Sequence, residues 1–263
     1  MDRESFKSKK RIVIKVGTTS ITYPTGKMDL RRVRELSWIL TDLRNQGREV
    51  ALVSSGAIAL GADRLGLDRR PRDIVLKQAA SAVGQAALMQ VYENFFMQYS
   101  QQVAQVLLTK DVFEDEVRKN HARNTLCALF DMGVIPIINE NDTVAVDELG
   151  FSENDALSAY VACLIDSDLL IILSDIDGLY DGNPNEGPGA SLIRKVEKID
   201  GSIMEMAGAS GSAMGTGGMH AKVSAAAMAS ASGINTLIAS GEEPSVLFKI
   251  LAGEEVGTWF TSG

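Results

Sequence analysis

Residues 168–173 read DLLIIL, and residues 11–16 read RIVIKV. Both segments are nearly continuous aliphatic runs, without the alternation of apolar and polar residues that a half-exposed strand shows. Continuous apolar strands are typical of a largely parallel sheet that helices cover on both faces. These two segments therefore indicate an α/β fold, a three-layer α/β/α sandwich around a central, mainly parallel sheet.

Strand and helix patterns alternate outward from these runs along the whole chain. The helical patterns have apolar residues at three- and four-residue spacing, and two of them end at Gly47 and Gly133. The predicted strands are residues 11–16, 49–53, 103–108, 134–138, 168–173, 236–239 and 256–260. The predicted helices are residues 30–46, 57–65, 74–99, 120–132, 154–165, 217–232 and 244–251.

The composition argues against several functional classes. The chain has 263 residues, of which 45% are hydrophobic and 23% charged, as in ordinary globular proteins. Its net charge of −8 argues against nucleic-acid binding, which needs a basic surface. Apolar runs such as residues 169–173 are far shorter than the roughly 20 residues of a membrane helix. We expect no membrane association.

The amino-terminal residues and the few cysteines and histidines point to the cytoplasm and to no metal site. Residues 1–11 are charged and lack the apolar segment of a signal peptide. Cys127 and Cys163 lie in apolar helical patterns, so we interpret them as buried and reduced. His121 and His220 are far apart in the sequence and show no zinc-binding spacing.

The carboxyl ends of the predicted strands are the candidate ligand sites, because open parallel sheets bind ligands there. Lys15 lies inside the first strand, between Ile14 and Val16. A lysine in a buried strand is costly unless an anion pairs with it, which favours a cation for phosphate. The alternative is an edge strand that points Lys15 into solvent.

Three further strand ends or loops are polar or rich in glycine. Ser54-Ser55-Gly56 precedes a helix whose free backbone N–H groups suit an anion, although such turns often only cap a helix. Residues 139–142 read NEND, and Asn154-Asp155 opens the next helix, where Asp155 could simply complement the helix dipole. Residues 215–222 read GTGGMHAK and resemble a phosphate cradle, but they match neither a Walker A nor a Rossmann fingerprint.

Two lysines and one aspartate gain meaning when they are considered together. Phosphoryl transfer needs positive charge around the moving group and little covalent help from the protein. Lys15 and Lys222, held by Asp155, would supply that arrangement. These three residues therefore match the charge arrangement that phosphoryl transfer needs.

Six segments resemble the amino acid kinase superfamily, in the order that the superfamily shows. They are IKVGT at 14–18, VSSGAIALG at 53–61, INEND at 138–142, ENDALSA at 153–159, LSDIDGLYD at 173–181 and GTGGMHAK at 215–222. The resemblance extends from about Arg11 to Phe260. It implies one domain over residues 1–263, with an amino-acid-binding lobe over about 11–165 and a nucleotide-binding lobe over about 166–263. Many members also have a carboxyl-terminal PUA domain, which this sequence lacks, so we expect a short form or a shortened chain.

The resemblance also implies roles for individual residues. The catalytic residues would be Lys15, Asp155 and Lys222, with Asp155 orienting the two lysines. The substrate-binding residues would be Ser55, Asp142 and Asn154. The nucleotide-binding residues would be Lys15, Ser174, Asp175, Thr216, Gly217, Gly218, Met219, His220, Ala221 and Lys222. Asp142 is also reasonable chemically, because a carboxylate can pair with a free α-ammonium group.

Within the superfamily the chain resembles the branch that phosphorylates the γ-carboxylate of L-glutamate with ATP in proline biosynthesis. That branch implies Mg²⁺ on the nucleotide, feedback inhibition by proline, and a homo-oligomer, a dimer or tetramer. One alternative is another kinase of the superfamily, acting on N-acetylglutamate, carbamate, aspartate or a nucleoside monophosphate. The other is a non-catalytic amino-acid sensor, against which the presence of Lys15, Asp155 and Lys222 argues.

Overall fold

A computed structural model describes residues 2–67, 71–145, 154–183, 189–209 and 218–262. In these ranges the chain forms one eight-stranded sheet with the order β3-β4-β2-β1-β5-β7-β8-β6. All neighbouring strands are parallel except the antiparallel pair β7 and β8. The strands are β1 (Arg11–Val16), β2 (Glu49–Ser54), β3 (Val103–Leu108), β4 (Ile135–Glu140), β5 (Leu169–Ser174), β6 (Lys195–Val196), β7 (Asn235–Ser240) and β8 (Thr258–Phe260).

Helices cover both faces of this sheet. They are α1 (Thr18–Ile21), α2 (Leu30–Asn45), α3 (Ala57–Arg64), α4 (Ile74–Met97), α5 (Asp111–Glu114), α6 (Glu116–Asp131), α7 (Asn154–Leu164), α8 (Gly201–Ala209), α9 (Met219–Ala231) and α10 (Val246–Leu251). A 3-10 helix, Arg3–Ser8, precedes β1. None of the helices within the described ranges combines the length and apolar composition needed to cross a bilayer.

Each central strand has two buried faces, as its sequence predicts. In β1, Ile12 and Ile14 belong to a core formed with α2, α4 and α10. Val13 belongs to a second core on the other face, formed with α6, α7, α8 and α9. Successive side chains of a strand point to opposite faces, so Lys15 shares the face of Val13. The predicted α/β/α sandwich with a mainly parallel sheet is confirmed.

Several short elements were not predicted from the sequence. They are the 3-10 helix, α1, α5, β6 and α8, and α6 begins at Glu116 rather than at residue 120. The first turn of α6 is charged and shows no apolar spacing. It is stabilised by Asp115, whose carboxylate accepts hydrogen bonds from the backbone N–H groups of Val117 and Arg118 at 2.8 and 3.1 Å. The predicted start of α9 at Gly217 lies outside the described residues.

The interpretation of the cysteines needs one correction. Cys127 and Cys163 are free thiols, but both are partly exposed rather than buried. Cys127 lies on α6 and Cys163 on α7, and Cys163 packs against the second core. The Cys163 thiol donates to the Ser232 hydroxyl at 3.2 Å.

Candidate active site

The carboxyl ends of β1, β2 and β5 come together in the middle of the sheet. β1 lies between β2 and β5, and its Lys15 is aligned with Val53 and Ile172. The residues that follow these strands are therefore neighbours. The backbone N–H of Ser55 donates to the carbonyl of Val16 at 3.1 Å, which joins the ends of β2 and β1.

Lys15, Asp155 and Lys222 form one buried ionic cluster. The Nζ atom of Lys15 lies 2.7 Å from Oδ1 of Asp155, and the Nζ atom of Lys222 lies 3.3 Å from Oδ2. The exposed fractions are 5% for Lys15, 0% for Asp155 and 4% for Lys222. Two ammonium groups and one carboxylate give these three residues a net positive charge. An arrangement of this kind suits an anionic ligand such as a phosphate chain.

Three separate elements bring this cluster together. Lys15 lies on the sheet face that α7 and α9 cover, Asp155 is in the first turn of α7, and Lys222 is on the buried face of α9. Because β1 has paired neighbours on both sides, the edge-strand alternative for Lys15 is wrong. The catalytic roles predicted for these residues stay predictions.

Of the three residues predicted to bind glutamate, Asn154 directly precedes Asp155 in α7, and the three fall into two hydrogen-bonded groups. The Asn154 amide nitrogen donates to Ser55 Oγ and to Asn139 Oδ1, each at 2.8 Å. Asp142, in the turn after β4, accepts a 2.6 Å hydrogen bond from the Ser81 hydroxyl. Three different segments thus contribute to the carboxyl edge of the sheet. Ser55 follows β2, Asp142 follows β4, and Asn154 begins α7.

Helix α4 contributes polar side chains here that were not predicted from the sequence. Its Ser81 contacts Asp142, and its Gln85 accepts a 2.9 Å hydrogen bond from the Asn139 amide. One turn earlier, Gln78 donates to the carbonyl of Ala145 at 3.4 Å. Residues 78, 81 and 85 follow the three- and four-residue spacing of one helix face, so this polar stripe was visible in the sequence.

Tyr92 extends the same face of α4 towards β2. Its hydroxyl lies 2.8 Å from Ser54 Oγ. Burial raises the pKa of Tyr92 well above its ordinary value, against the smaller lowering effect of the Ser54 hydrogen bond. The phenol therefore remains protonated across the working pH range and stabilises the end of β2 as a neutral group.

Close packing of α3 against α4 holds this polar stripe at the site. A Cβ atom on Gly61 of α3 would lie 1.8 Å from the carbonyl oxygen of Ala80, and one on Gly84 of α4 would lie 1.8 Å from that of Ala57. Only glycine permits the two backbones to approach so closely. Gly56, which begins α3, has a φ of +109° in the left-handed region, which explains the glycine of the Ser-Ser-Gly turn.

The residues predicted to bind the nucleotide are distributed over β5 and α9. Ser174 is buried at the end of β5, and its hydroxyl donates to the exposed carboxylate of Asp175 at 3.0 Å. Gly218 precedes α9, and Lys222 reaches the ionic cluster. Of the others, Met219 is buried in the core, His220 is exposed and Ala221 is partly exposed, while Thr216 and Gly217 lie outside the described residues.

A three-layer sandwich with a cationic cluster at the carboxyl edge of a parallel sheet defines a class of phosphotransferase. The model of the amino acid kinase family matches residues 10–240, and the chain belongs to that family. Its fold also matches a carbamate kinase from Giardia lamblia bound to AMP-PNP, with a TM-score of 0.69 at 16% identity, covering 97% of this chain and 99% of that one.

Among individual proteins, the chain is similar to bacterial glutamate 5-kinases. It is 49% identical to the one from Clostridium perfringens (strain 13 / Type A), covering 99% of this chain and 98% of that protein. It is 47% identical to the one from Listeria innocua serovar 6a, covering 99% and 96% respectively. The similarity therefore extends over nearly the whole length of both relatives.

Proposed function

We propose that this protein transfers the γ-phosphoryl group of ATP to the γ-carboxylate of L-glutamate, giving L-glutamyl 5-phosphate and ADP. This reaction is the first step of proline biosynthesis. The observation that carries the proposal is the buried Lys15–Asp155–Lys222 cluster, which supplies positive charge where a phosphoryl group would move. Nearly half of the residues are shared with glutamate 5-kinases over almost the full length, which supports glutamate as the acceptor.

The reaction requires no general base. The γ-carboxylate of glutamate is already ionised at neutral pH. One of its oxygens forms a bond to the γ-phosphorus while the bond from that phosphorus to the β–γ bridging oxygen breaks, and ADP leaves with the electron pair. Catalysis then depends on alignment and on charge stabilisation, for which Lys15 and Lys222 would contact the phosphoryl oxygens and Asp155 would hold both lysines.

The nucleotide would bind as its Mg²⁺ complex. The described residues hold no group of three or more His, Cys, Asp or Glu side chains that could form a metal cage. Phosphate oxygens and water are the donors that Mg²⁺ prefers, and they suit an ion that arrives with ATP. The nucleotide would extend along the ends of β5 and α9, past Ser174, Asp175 and the residues around Gly218. The use of ATP in biosynthesis fits a cytoplasmic location.

Glutamate would bind between Ser55, Asp142 and Asn154, with its α-ammonium group against Asp142. N-acetylglutamate lacks that charge and would leave the carboxylate facing a bulkier neutral amide. A site built around such an interaction can reject the analogue by about 10⁴–10⁵ in favourable cases. Trapping of the acyl phosphate with hydroxylamine should therefore give robust turnover of L-glutamate and negligible turnover of N-acetylglutamate. Equal turnover of both would contradict the proposal.

Asp142→Asn tests the ammonium contact directly. The KM for glutamate should rise more than kcat falls, because the ammonium group is remote from the reacting carboxylate in both ground and transition states. Asp131→Asn, at an exposed aspartate near the end of α6, serves as the control and should change neither constant. If Asp142 only caps the turn after β4, its substitution would lower thermal stability and leave KM and substrate choice unchanged.

The alternatives are separated by the products formed. A non-catalytic sensor would bind glutamate or proline without producing ADP, and another kinase of the family would produce ADP with a different acceptor. Measuring ADP release with glutamate, N-acetylglutamate, carbamate, aspartate and a nucleoside monophosphate distinguishes these cases. Absence of ADP formation with glutamate would exclude the proposed reaction.

Regulation and assembly extend the proposal. Proline would compete with glutamate at or beside the pocket bordered by residues 139–153, of which 146–153 lie outside the described residues. A rate that is unchanged by millimolar proline at subsaturating glutamate would exclude this inhibition.

A dimer or tetramer would use the surface of α4, which exposes Leu76, Val83 and Met97. Light scattering of the purified protein tests that assembly.

A further inference from the structure

A chain of side-chain hydrogen bonds connects α4 to the predicted glutamate site. Asn139 at the end of β4 donates through Nδ2 to Oε1 of Gln85 at 2.9 Å. Asn154 donates through Nδ2 to Oδ1 of Asn139 and to Oγ of Ser55, at 2.8 Å each. Four elements that are distant in sequence are thus linked by three side-chain amides and one hydroxyl.

The direction of this chain is fixed by a single backbone group. The N–H of Glu140 donates to Oδ1 of Asn139 at 2.9 Å. A backbone N–H can only donate, so the amide oxygen of Asn139 must face it, and Nδ2 must face Gln85. The Gln85 amide therefore presents its oxygen, and Asn154 presents its nitrogen to Asn139. Reversing any of these amides would place two donors or two acceptors against each other.

The direction of these hydrogen bonds determines which donor and acceptor groups remain for a ligand. Both hydrogens of Asn154 Nδ2 are committed, to Asn139 and to Ser55, so any further hydrogen bond of this amide is accepted by Oδ1. The Ser55 hydroxyl accepts from Asn154, so its own hydrogen remains the group that donates. An acceptor beside a donor matches the ammonium and carboxylate groups of a free amino acid.

We propose that Gln85 is a positioning residue that sets this polarity and so determines recognition of an amino-acid substrate; the inference rests on the function proposed above. Gln85 is 7% exposed, and its Nε2 atom is buried with no hydrogen-bond partner among the described residues. A buried unpaired donor is costly, and an apolar side chain of the same length would avoid that cost. The functional group of Gln85 is therefore its amide oxygen, which accepts the hydrogen bond from Asn139 and orients that side chain.

Gln85→Met tests the role of that oxygen, because methionine has similar length and no amide. Loss of one buried hydrogen bond should raise the KM for glutamate by about 3- to 30-fold. The KM for ATP and kcat should change by less than about threefold, since the hydrogen bond of Gln85 goes to Asn139 and not to a predicted nucleotide residue that the structure describes. Gln85→Glu keeps an acceptor for Asn139 and should give a lower glutamate KM than Gln85→Met.

Gln101→Met is the matched control. Gln101 is also a buried glutamine, 6% exposed, but it lies at the opposite end of the sheet and donates to the carbonyls of Gln102 and Gly133 at 2.7 and 2.9 Å. Its substitution should lower thermal stability without changing the KM for glutamate. An equal rise in KM for Gln101→Met and Gln85→Met would mean a general loss of structure and would overturn the proposal.

Asn154→Ala and its combination with Gln85→Met separate this inference from the proposed function. If Gln85 acts through Asn154, the double variant should have a KM close to that of Asn154→Ala alone. A higher KM for Asn154→Ala with no change for Gln85→Met would overturn only the role of Gln85. An unchanged KM for Asn154→Ala would overturn both the glutamate site and this inference. If Gln85→Met does not fold, Gln85→Glu must fold with a KM within about tenfold of wild type, and a larger rise overturns the proposal.

Discussion

The two ends of β1 both carry ionic side chains, but they are built differently. At the amino end, Arg11 Nε lies 2.6 Å from Glu49 Oε2, and both side chains are about one-quarter exposed, at 26% and 22%. The Asp168 carboxylate accepts from the backbone N–H groups of Lys10 and Arg11 at 2.9 and 2.8 Å. Each charge at this end therefore has a nearby opposite charge or backbone group and partial access to water.

At the carboxyl end, the charges are removed from water and shared. Lys15 and Lys222 contact the single carboxylate of Asp155, and all three side chains are at least nine-tenths buried. Burying charged groups of this kind is by itself a poor way to stabilise a fold. The amino-end contacts therefore stabilise the sheet, whereas for the carboxyl-end cluster we predict a role in binding a ligand.

The largest effect should follow from removing one cation of the carboxyl-end cluster. Lys15→Ala and Lys222→Ala should each lower kcat by roughly 10²–10³, the usual cost of losing one preorganised partner of the transition state. The double variant should lose less than the product of the two, since the charges act as a unit. Steady-state ADP release measures this effect, with circular dichroism to verify folding.

Lys10→Ala is the control for that pair. Lys10 lies at the amino end of β1, where its side chain is 70% exposed and 3.9 Å from Glu49. Its substitution should leave kcat unchanged. A folded Lys15→Ala or Lys222→Ala variant that retained the wild-type kcat would remove that lysine from the mechanism.

An intermediate effect should distinguish the two carboxylates that flank β1. Asp155→Asn leaves two buried ammonium groups without their shared counter-charge and should destabilise the fold by about 3–5 kcal/mol. Asp168→Asn keeps an amide oxygen that can accept from the same backbone N–H groups, so its cost should be about 1 kcal/mol or less. Urea denaturation of both variants measures the difference. Equal losses would contradict the contrast between the two ends.

The smallest effect should come from the amino-end ion pair. Arg11→Met removes the contact with Glu49 and a hydrogen bond to the carbonyl of Ile165 at 2.5 Å. It keeps an apolar stem that can still pack near the ring of Phe130, over which the Arg11 guanidinium lies at 5.5 Å. We expect a loss of about 1–2 kcal/mol, partly screened by salt, and an unchanged kcat. A kcat that fell tenfold would show that the amino end also serves the reaction.

The residue pattern predicted the layered architecture and the edge of the sheet where the candidate site lies. Continuous aliphatic strands such as residues 169–173 can only be satisfied by apolar layers on both faces, which is a local property of the residues. A lysine inside such a strand and polar turns at the strand ends are also local features. They predicted a ligand site at the carboxyl edge of the sheet, where open parallel sheets bind ligands. Elements without apolar periodicity, such as β6 and the charged first turn of α6, escaped prediction because their stability comes from caps and neighbours.

The contacts between site residues that are distant in the sequence depend on tertiary packing. Lys15, Asp155 and Lys222 are far apart in the sequence. Their contacts depend on which face of the sheet the Lys15 side chain lies on and on the packing of α7 and α9 against that face. Gln85 reaches Asn139 because Gly61 and Gly84 allow α3 and α4 to approach closely. Hydrogen-bond distances and burial depend on how the elements pack in three dimensions. A single sequence shows how residues are spaced within each helix or strand. It does not show the distances between elements that pack together.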